Sequence, residues 1–389
     1  MTNEQVLKNT RILDFTWVLA GPYATRLLAD FGAEVIKAQP LLSPDDDSLF
    51  AREYYNQWNR NKFGISLNLN TPEGIELAKR LVAISDIVIE NFTPRVMANW
   101  RLDYENLKKI KSDIIMLSMS VMGQTGPLRD YTGFGPTVQA LSGMTAMTSF
   151  DEEPPLGPGF SYADHVAGLY ASMALLGALE HRRQTGEGQH IDISQVETMV
   201  SLLGGAVMEA SAGKDVKPRG NHSSKGTPHN VYKCRGDDKW IAISVNSEED
   251  WQGLKQVMSN PSWADDEKFE ALSGRIENRE ELDELIGKWT QLYSGTEIMT
   301  LLQQNGIAAG VVQNTAELMQ NHQLVDRNFF IRGKNGHAMA DTNPIKLSRT
   351  AAAYHRRAPA LGQDNDYIYH QLLGLSYDEI AGLKEKGII

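Results

Sequence analysis

Short apolar runs alternate with amphipathic stretches over the first 120 residues. RILDFTWVL (11–19) and AEVIKA (33–38) predict two strands, and YATRLLADFG (23–32) predicts the helix between them, entered through the turn AGP (20–22). Strands that alternate with helical stretches of about 10–15 residues are typical of a mostly parallel sheet covered on both faces. The fold class predicted is therefore α/β, with a large Rossmann-like domain. Further strands are predicted at 64–69, 86–92 and 113–120, with a helix at 71–84.

The pattern changes in the second half of the chain. Residues 161–213 read as helix, broken by the turn QTGEG (184–188) and a short strand at 189–194. NVYKC (230–234) and KWIAISV (239–245) predict a hairpin, and further helices and a strand follow it, as in a second α/β domain. The predicted division is the first part of a large domain over 1–212, a linker at 213–227, a small domain over 228–330, and a linker with a return to the large domain over 331–389.

The composition and charge of the chain argue against several classes of partner and of site. Of 389 residues 41% are hydrophobic and 22% charged, as in ordinary globular proteins, and the net charge of −11 disfavours a nucleic-acid partner. The single cysteine, Cys234, excludes an intramolecular disulfide and a cysteine-based zinc site. The N-terminus is polar and no apolar run reaches the ~20 residues that span a bilayer. We expect a cytoplasmic protein with no membrane partner.

Several common catalytic motifs are missing. The first strand–helix turn lacks the glycine pattern that lets backbone approach a pyrophosphate, and the second strand ends in Gln39 and Pro40 rather than in an acid that binds ribose. Walker A, HExxH and G-x-S-x-G sequences are also missing. The nine histidines form no helical pair at ligand spacing, and we assign His222 and His229 to a solvated linker. No metal or resident cofactor is expected.

FSYADHVAG (160–168) is the stretch that stands out. Ser161 and Asp164 have the spacing of a capping box before an apolar helix, and an acid in a first turn also gains from the helix dipole. A poorly solvated carboxylate at the same place, beside small residues such as Ala163 and Gly168, is also suited to attack an activated acyl carbon. Local physics favours the cap and leaves both interpretations open.

Six longer segments stand out along the chain. They are LDFTWVLAGPYATRLLADFGAEVIKAQ (13–39), NRNKFGISLNLNTPEG (59–74), DIVIENFTPRVM (86–97), SMSVMGQTGP (118–127), VQALSGM (138–144) and YADHVAGLYASMALLGALEHRRQTGEGQHIDISQVE (162–197). In these segments the chain resembles the family III CoA-transferases, the group that contains formyl-CoA transferase, the carnitine CoA-transferases and the α-methylacyl-CoA racemases. The resemblance covers the chain from Arg11 almost to its end, and the segments together are far more specific than any one short motif.

The resemblance implies that Asp164 is a nucleophile in an acyl-CoA:carboxylate CoA-transferase. It implies ping-pong chemistry through a mixed anhydride and an aspartyl-CoA thioester, with acyl-CoA and a carboxylic acid as substrates and no permanently bound cofactor. It also implies an interlocked homodimer. The CoA contacts of the family correspond here to three segments of the large domain, and two arginines near in sequence are added as candidates for CoA binding. These are Val18, Leu19 and Ala20; Leu67, Asn68, Leu69 and Asn70; Asn91, Phe92 and Thr93; and Arg95 with Arg101.

The chain departs from the family pattern at several positions. Two arginines that some members place near the CoA phosphates correspond to Pro40 and Asn99, which leaves Arg60 and Lys62 as further candidates beside Arg95 and Arg101. No clear equivalent exists for the glycine-rich loop that covers the intermediate in some members, although GNHSSKGTPHN (220–230) lies in that region.

Two other functions are compatible with the same family. A racemase needs a base on each side of the α-carbon, but its histidine corresponds here to Phe134, which cannot exchange a proton. A CoA-binding protein without catalysis is the third possibility, with Asp164 only a cap. Trp17, Leu19 and Tyr162 together with Phe134 predict an apolar lining, which favours an acyl group larger or less polar than formyl.

Overall fold

The computed structural model describes residues 5–41, 49–150, 153–332 and 338–389. Eleven strands lie in these ranges: β1 Arg11–Asp14, β2 Glu34–Gln39, β3 Phe63–Ser66, β4 Ile87–Glu90, β5 Ile115–Ser120, β6 His190–Ser194, β7 His229–Lys233, β8 Trp240–Ser244, β9 Ala308–Val311, β10 Phe330–Arg332 and β11 Ala338–Asp341.

Helices connect and cover the strands. The first ten are α1 Ala20–Asp30, α2 Leu49–Asn59, α3 Pro72–Ala83, α4 Arg95–Asn99, α5 Tyr104–Ile110, α6 Gly135–Leu141, α7 Met144–Met147, α8 Tyr162–Thr185, α9 Gln195–Val200 and α10 Gly204–Ser211. The others are α11 Glu248–Val257, α12 Glu267–Glu270, α13 Leu272–Glu277, α14 Arg279–Thr290, α15 Gly295–Gln304, α16 Thr315–Leu318, α17 His322–Asp326 and α18 Tyr377–Glu385, with a π-helical segment at Asp366–Leu372. Among the helices of these described ranges, none has the length and apolarity to cross a bilayer.

The chain divides into two compact units. One contains Met1–Ala146, Gly157–Val216 and Asn328–Ile389, and the other contains Met147–Leu156 and Lys217–Arg327. The domain boundaries that we derived from sequence remain a prediction.

A six-stranded parallel sheet forms the centre of the first unit, in the order β3-β2-β1-β4-β5-β6. This confirms the α/β class and the parallel sheet. Strands β1 to β5 are largely buried, with one apolar cluster on each side of the sheet, whereas the edge strand β6 is exposed at His190 and Asp192. The strand order reverses between β1 and β4, and in open parallel sheets ligands bind beyond the carboxyl ends of the strands at such a point.

The long helix α8 packs directly on α1. Ala167, Ala171 and Leu175 are fully buried there, and a methyl group on Gly168 would lie 2.9 Å from the carbonyl oxygen of Ala20, so glycine permits this close approach. The N-terminal turn of α8 is thereby fixed relative to the start of α1.

In the second unit β7, β8 and β9 form an antiparallel sheet with its own apolar core. The hairpin predicted around RGDD is confirmed. The assignment of His229 to a solvated linker was wrong, because His229 begins β7 and its Nδ1 lies 2.8 Å from the Ser244 hydroxyl.

Candidate active site

A cavity of about 630 Å³ lies at the carboxyl edge of the parallel sheet, in the first unit. Its walls come from the segments that follow β1, end β2 and follow β3, which places it at the reversal of strand order. Its lining is mostly apolar and aromatic. The lining residues are 15–18, Pro22, 37–40, Tyr54, Tyr55, Asn59, 67–70, Phe92 and Trp100.

The structure brings about half of the CoA-contact residues predicted from sequence to this cavity. Val18, Phe92 and the segment 67–70 line it. Leu19 and Ala20 are buried in the core beside it. The remaining predicted residues are not among the described residues of the lining. They are Asn91 and Thr93, both half-buried, and Arg95 and Arg101, both exposed.

Asn91 holds the cavity wall by its side chain. Its Oδ1 accepts a hydrogen bond from the Trp17 backbone N–H at 2.9 Å, and its Nδ2 donates to the Trp17 carbonyl at 2.9 Å. The next residue, Val18, has φ of 64°, a left-handed conformation that a β-branched side chain rarely adopts. The chain can therefore enter α1 at Ala20, and the turn predicted at 20–22 was wrong.

Three buried charged side chains lie beside this part of the cavity wall. We call them the Asp14–Lys37–Lys62 cluster. Asp14 Oδ1 lies 3.1 Å from Lys37 Nζ, and Asp14 Oδ2 lies 3.1 Å from Lys62 Nζ. Lys37 also donates to the Thr16 carbonyl, while Lys62 donates to the Pro22 carbonyl at 3.0 Å. The two ammonium groups hold the pKa of Asp14 far below its usual range, whereas burial lowers the pKa of both lysines.

Asp164 lies in the first turn of α8 and is 9% exposed. Ser161 precedes the helix in a left-handed conformation and its side chain makes no cap hydrogen bond, so the predicted capping box was wrong. Gln195 donates to Asp164 Oδ1 at 3.5 Å. Burial raises the pKa of Asp164 to about 6, and hydrogen bonds from Gln195 and Ser161 oppose that rise.

Tyr54 connects Asp164 with the cavity. It lines the cavity, and the negative charge of Asp164 adds to burial in raising the pKa of its phenol. The carboxylate also lies against Gly135, where an added methyl group would stand 2.6 Å from Asp164 Oδ2. Asp164, in α8, is thus packed against the start of α6 and lies within electrostatic reach of a side chain that a ligand in the cavity would touch.

His165 has a packing role. Its Nδ1 lies 2.8 Å from the Ser161 carbonyl oxygen. Its ring packs against Tyr23, Trp58 and Phe160, with centroids 5.0, 5.2 and 5.9 Å away. His165 therefore anchors the start of α8 in an aromatic cluster.

Comparison with known proteins identifies the family. The sequence profile described as CoA-transferase family III matches residues 7–365. The chain is 35% identical over 394 residues to a succinyl-CoA–D-citramalate CoA-transferase of Chloroflexus aurantiacus, covering 98% of each chain. The chain belongs to CoA-transferase family III. The resemblance inferred from its motifs is confirmed, and the protein is a transferase that acts on CoA thioesters.

Other relatives and a solved structure agree with this membership. A succinyl-CoA:glutarate CoA-transferase of Homo sapiens is 28% identical, with 100% of this chain and 91% of the human protein covered. A CAIB/BAIF family protein from Brucella suis has a crystal structure that superposes with a TM-score of 0.86 at 29% identity, over 95% of this chain and 100% of that chain.

In this family III protein, the two basic side chains that the sequence suggested as further candidates for phosphate binding form ion pairs inside the protein. Arg60 is buried, with its guanidinium 2.7 Å from Asp30 Oδ2 and 3.2 Å from Asp341 Oδ1. Lys62 is fully buried in the Asp14–Lys37–Lys62 cluster. Both side chains therefore have partners inside the protein, and neither belongs to the described lining of the cavity; their role in phosphate binding stays a prediction.

Tyr54, Gln195 and Gly135 were missed by the sequence analysis. Tyr54 lies in α2, whose sequence we had not assigned to any element, and the other two reach Asp164 only through the tertiary fold. The aromatic content of YYNQW (54–58) was the available signal for Tyr54. No short motif points to Gln195.

Proposed function

We propose that the protein transfers CoA from an acyl-CoA to a carboxylate, with Asp164 as the covalent nucleophile. The observation that carries this proposal is the environment of Asp164. Its carboxylate is largely buried at the start of α8, and its pKa of about 6 leaves it mainly ionised at neutral pH. A carboxylate with so little water around it is a better nucleophile than a hydrated one.

The steps balance without an external energy source. Asp164 attacks the donor thioester, expelling CoA thiolate and forming a mixed anhydride. The thiolate then attacks the Asp164 carbonyl carbon, releasing the donor carboxylate and leaving an aspartyl-CoA thioester. The acceptor carboxylate attacks that thioester, and the returning thiolate attacks the acceptor carbonyl, which frees the new acyl-CoA and regenerates Asp164. Each step exchanges one activated acyl derivative for another, a thioester for an anhydride or the reverse, so ATP is not needed.

The surrounding residues have distinct tasks in this mechanism. Gln195 and Ser161 hold the carboxylate by hydrogen bonds, and Gly135 leaves room for it. Tyr54 lines the ligand cavity and lies within electrostatic reach of Asp164, so its ring joins the reacting carboxylate to the space that a ligand occupies. The apolar lining keeps water from the anhydride and the thioester, both of which hydrolyse.

For substrates we propose succinyl-CoA as donor and a dicarboxylic acid as acceptor. This rests on the relatives, whose names are succinyl-CoA–D-citramalate, succinate–glutarate and succinyl-CoA:glutarate CoA-transferase. Succinyl is larger than formyl, in line with the size expected from the sequence. Phe134 at the racemase histidine position supports transfer over racemisation, because its ring cannot carry a proton.

We also propose that the protein works in the cytoplasm as an interlocked homodimer, as the family resemblance implies. A row of exposed apolar side chains on α8 supports a partner surface: Leu169, Met173 and Leu176 are 49%, 63% and 46% exposed. Light scattering coupled to size exclusion tests the dimer, and a monomer at micromolar concentration would contradict it.

Intact-mass and peptide-mass spectrometry after mixing with succinyl-CoA tests the mechanism. We expect a CoA adduct on the peptide that contains Asp164, its loss in Asp164→Ala, and its discharge by a dicarboxylic acid. Asp164→Ala that still turns over would refute the role of Asp164. Exchange of the substrate α-proton with deuterated water, without an adduct, would instead support a racemase.

A further inference from the structure

Phe92 is the central ring of an aromatic wall of the ligand cavity. Its ring centroid lies 5.9 Å from that of Trp17 and 5.6 Å from that of Trp100, and all three side chains line the cavity. They come from different segments, since Trp17 follows β1, Phe92 follows β4 and Trp100 ends α4. Because Phe92 packs against both other rings, its position determines the shape of this wall.

The backbone of Phe92 is bonded to Glu90, the last residue of β4. Glu90 Oε2 accepts a hydrogen bond from the Phe92 backbone N–H at 2.7 Å. The bond joins residues two positions apart, so it constrains the direction in which the chain leaves β4 and enters the cavity wall. Glu90 itself is 2% exposed and is not among the described residues of the lining. It can therefore affect a ligand only through Phe92.

Polar side chains connect Glu90 with the edge of the sheet. Glu90 and Ser118 are register partners in β4 and β5, so their side chains lie on the same face. Ser118 is hydrogen-bonded to Glu90, and its hydroxyl also lies 3.0 Å from His190 Nε2 in β6. Burial of the imidazole ring lowers the pKa of His190, while the charges of Asp192 and Glu105 oppose this fall. The ring is therefore uncharged at neutral pH.

Glu90 titrates near neutrality. Burial raises its pKa to about 7, hydrogen bonds from Ser118 and from the Phe92 N–H oppose that rise, and the charge of Asp192 adds to it. A hydrogen bond to an ionised carboxylate is roughly twice as strong as one between neutral groups. Glu90 therefore binds the Phe92 N–H more strongly as pH rises through about 7.

We infer that Glu90 is a positioning residue for CoA: its carboxylate holds the Phe92 backbone, and with it the aromatic wall that determines affinity for the ligand. The inference rests on the proposal that the cavity takes CoA. Aromatic and apolar linings bind by close contact, so a wall whose central ring moves loses affinity. Since the carboxylate holds Phe92 best when ionised, CoA affinity should increase with pH as Glu90 loses its proton.

Equilibrium binding over a pH series tests this. Kd for CoA is measured by calorimetry from pH 5.5 to 8.5 in half-unit steps, in the Asp164→Ala background so that the ionisation of Asp164 does not contribute. Glu90→Gln keeps the size and an acceptor oxygen but cannot ionise, and Ser118→Ala removes the bond that opposes the rise in the pKa of Glu90. Each Kd is divided by that of the background at the same pH, which cancels the ionisation of CoA itself.

Two matched controls lie nearby in the fold. Glu76→Gln removes a negative charge from the exposed surface of α3. Ser120→Ala removes a buried hydroxyl from the same strand as Ser118, and that hydroxyl has no hydrogen-bond partner within the described residues. Thermal unfolding is recorded for every variant.

We expect Glu90→Gln to bind CoA as tightly as the background at pH 5.5 and about 3- to 10-fold more weakly at pH 8.5, the difference between a charged and a neutral acceptor. Its Tm at pH 8.5 should rise, because the folded pKa of Glu90 lies above its ordinary value and ionisation in the folded state is unfavourable. Ser118→Ala should move the pH-dependent gain in affinity to higher pH. Both controls should match the background.

Three results would overturn the inference. An unchanged Kd in Glu90→Gln at pH 8.5 would do so, as would weaker binding by the same factor at every pH together with a lower Tm, which indicates general damage to the fold. An effect as large in Glu76→Gln would do so too. A background protein that binds no CoA at any pH would refute the proposed cavity and this inference with it. An Asp164 variant that still transfers CoA would refute the proposed mechanism alone.

Discussion

Gly135 lies against the carboxylate of Asp164 so closely that a single added methyl group would stand 2.6 Å from Oδ2. The backbone at Gly135 is not in a left-handed conformation, so the requirement for glycine is one of space alone. The position of the Asp164 carboxylate is thus restricted by a residue outside its own helix.

Gly135→Ala should therefore displace Asp164 and lower kcat by about 100-fold, the order that a misplacement near 1 Å produces. Steady-state kinetics and the yield of the CoA adduct measure the effect. Gly177→Ala is the matched control, because no atom lies within 4 Å of the added methyl group there and activity should be retained. A Gly135→Ala enzyme with normal kcat would contradict this packing constraint.

The pH dependence of activity should report the ionisation of Asp164. Burial raises its pKa to about 6, and only the ionised carboxylate is a nucleophile. We expect kcat/KM to be level above pH 7 and to fall about tenfold per pH unit below about 5.5. A profile from pH 5 to 8 tests this, and a rate that stays level down to pH 5 would argue against it.

The burial of Asp164 also destabilises the folded protein at neutral pH. Its folded pKa of about 6 exceeds its ordinary value of 3.8, so the folded state is favoured below the lower value and loses that advantage as pH rises through 6. The cost at neutral pH is about 3 kcal/mol. Asp164→Asn should raise Tm at pH 8 and give no gain near pH 4. If Asp164→Asn changed Tm equally at both pH values, the destabilisation would not come from the charge of the carboxylate.

The Asn91–Trp17 contact should govern substrate affinity rather than chemistry. Asn91→Leu removes both hydrogen bonds that hold the Trp17 backbone, and Asn91→Asp keeps only an acceptor. We expect KM for acyl-CoA to rise about tenfold in Asn91→Leu and less in Asn91→Asp, with kcat little changed. A fall in kcat at constant KM would mean that Asn91 acts on the reaction itself.

The sequence predicted the sheet well and the neighbourhood of Asp164 poorly. Apolar periodicity along one segment is a local property, so β2, β4 and β5 were found close to their true limits. The start of α1 was missed because it depends on the left-handed backbone at Val18, and the cap at Ser161 was wrong for a similar reason. A periodic pattern carries no information on such torsions.

The residues that contact Asp164 are distant from it in sequence. Gln195 is 31 positions away in the chain and Gly135 is on another helix, so only the fold places them beside the carboxylate. Only the family resemblance singled out Asp164 as a candidate nucleophile, because the local pattern of apolar and polar residues fits a helix cap equally well.

The Asp14–Lys37–Lys62 cluster has a consequence for how this chain can evolve. Each member is buried at a distance in sequence from the others, and loss of Asp14 leaves two lysines inside the protein without their carboxylate. Asp14→Asn should cost several kcal/mol alone and markedly less in a Lys62→Met background, a difference that a double-mutant cycle of unfolding free energies would show. Substitution of Asp14 is therefore conditional on the two lysines, and lineages of this chain that replace Asp14 should also replace Lys62.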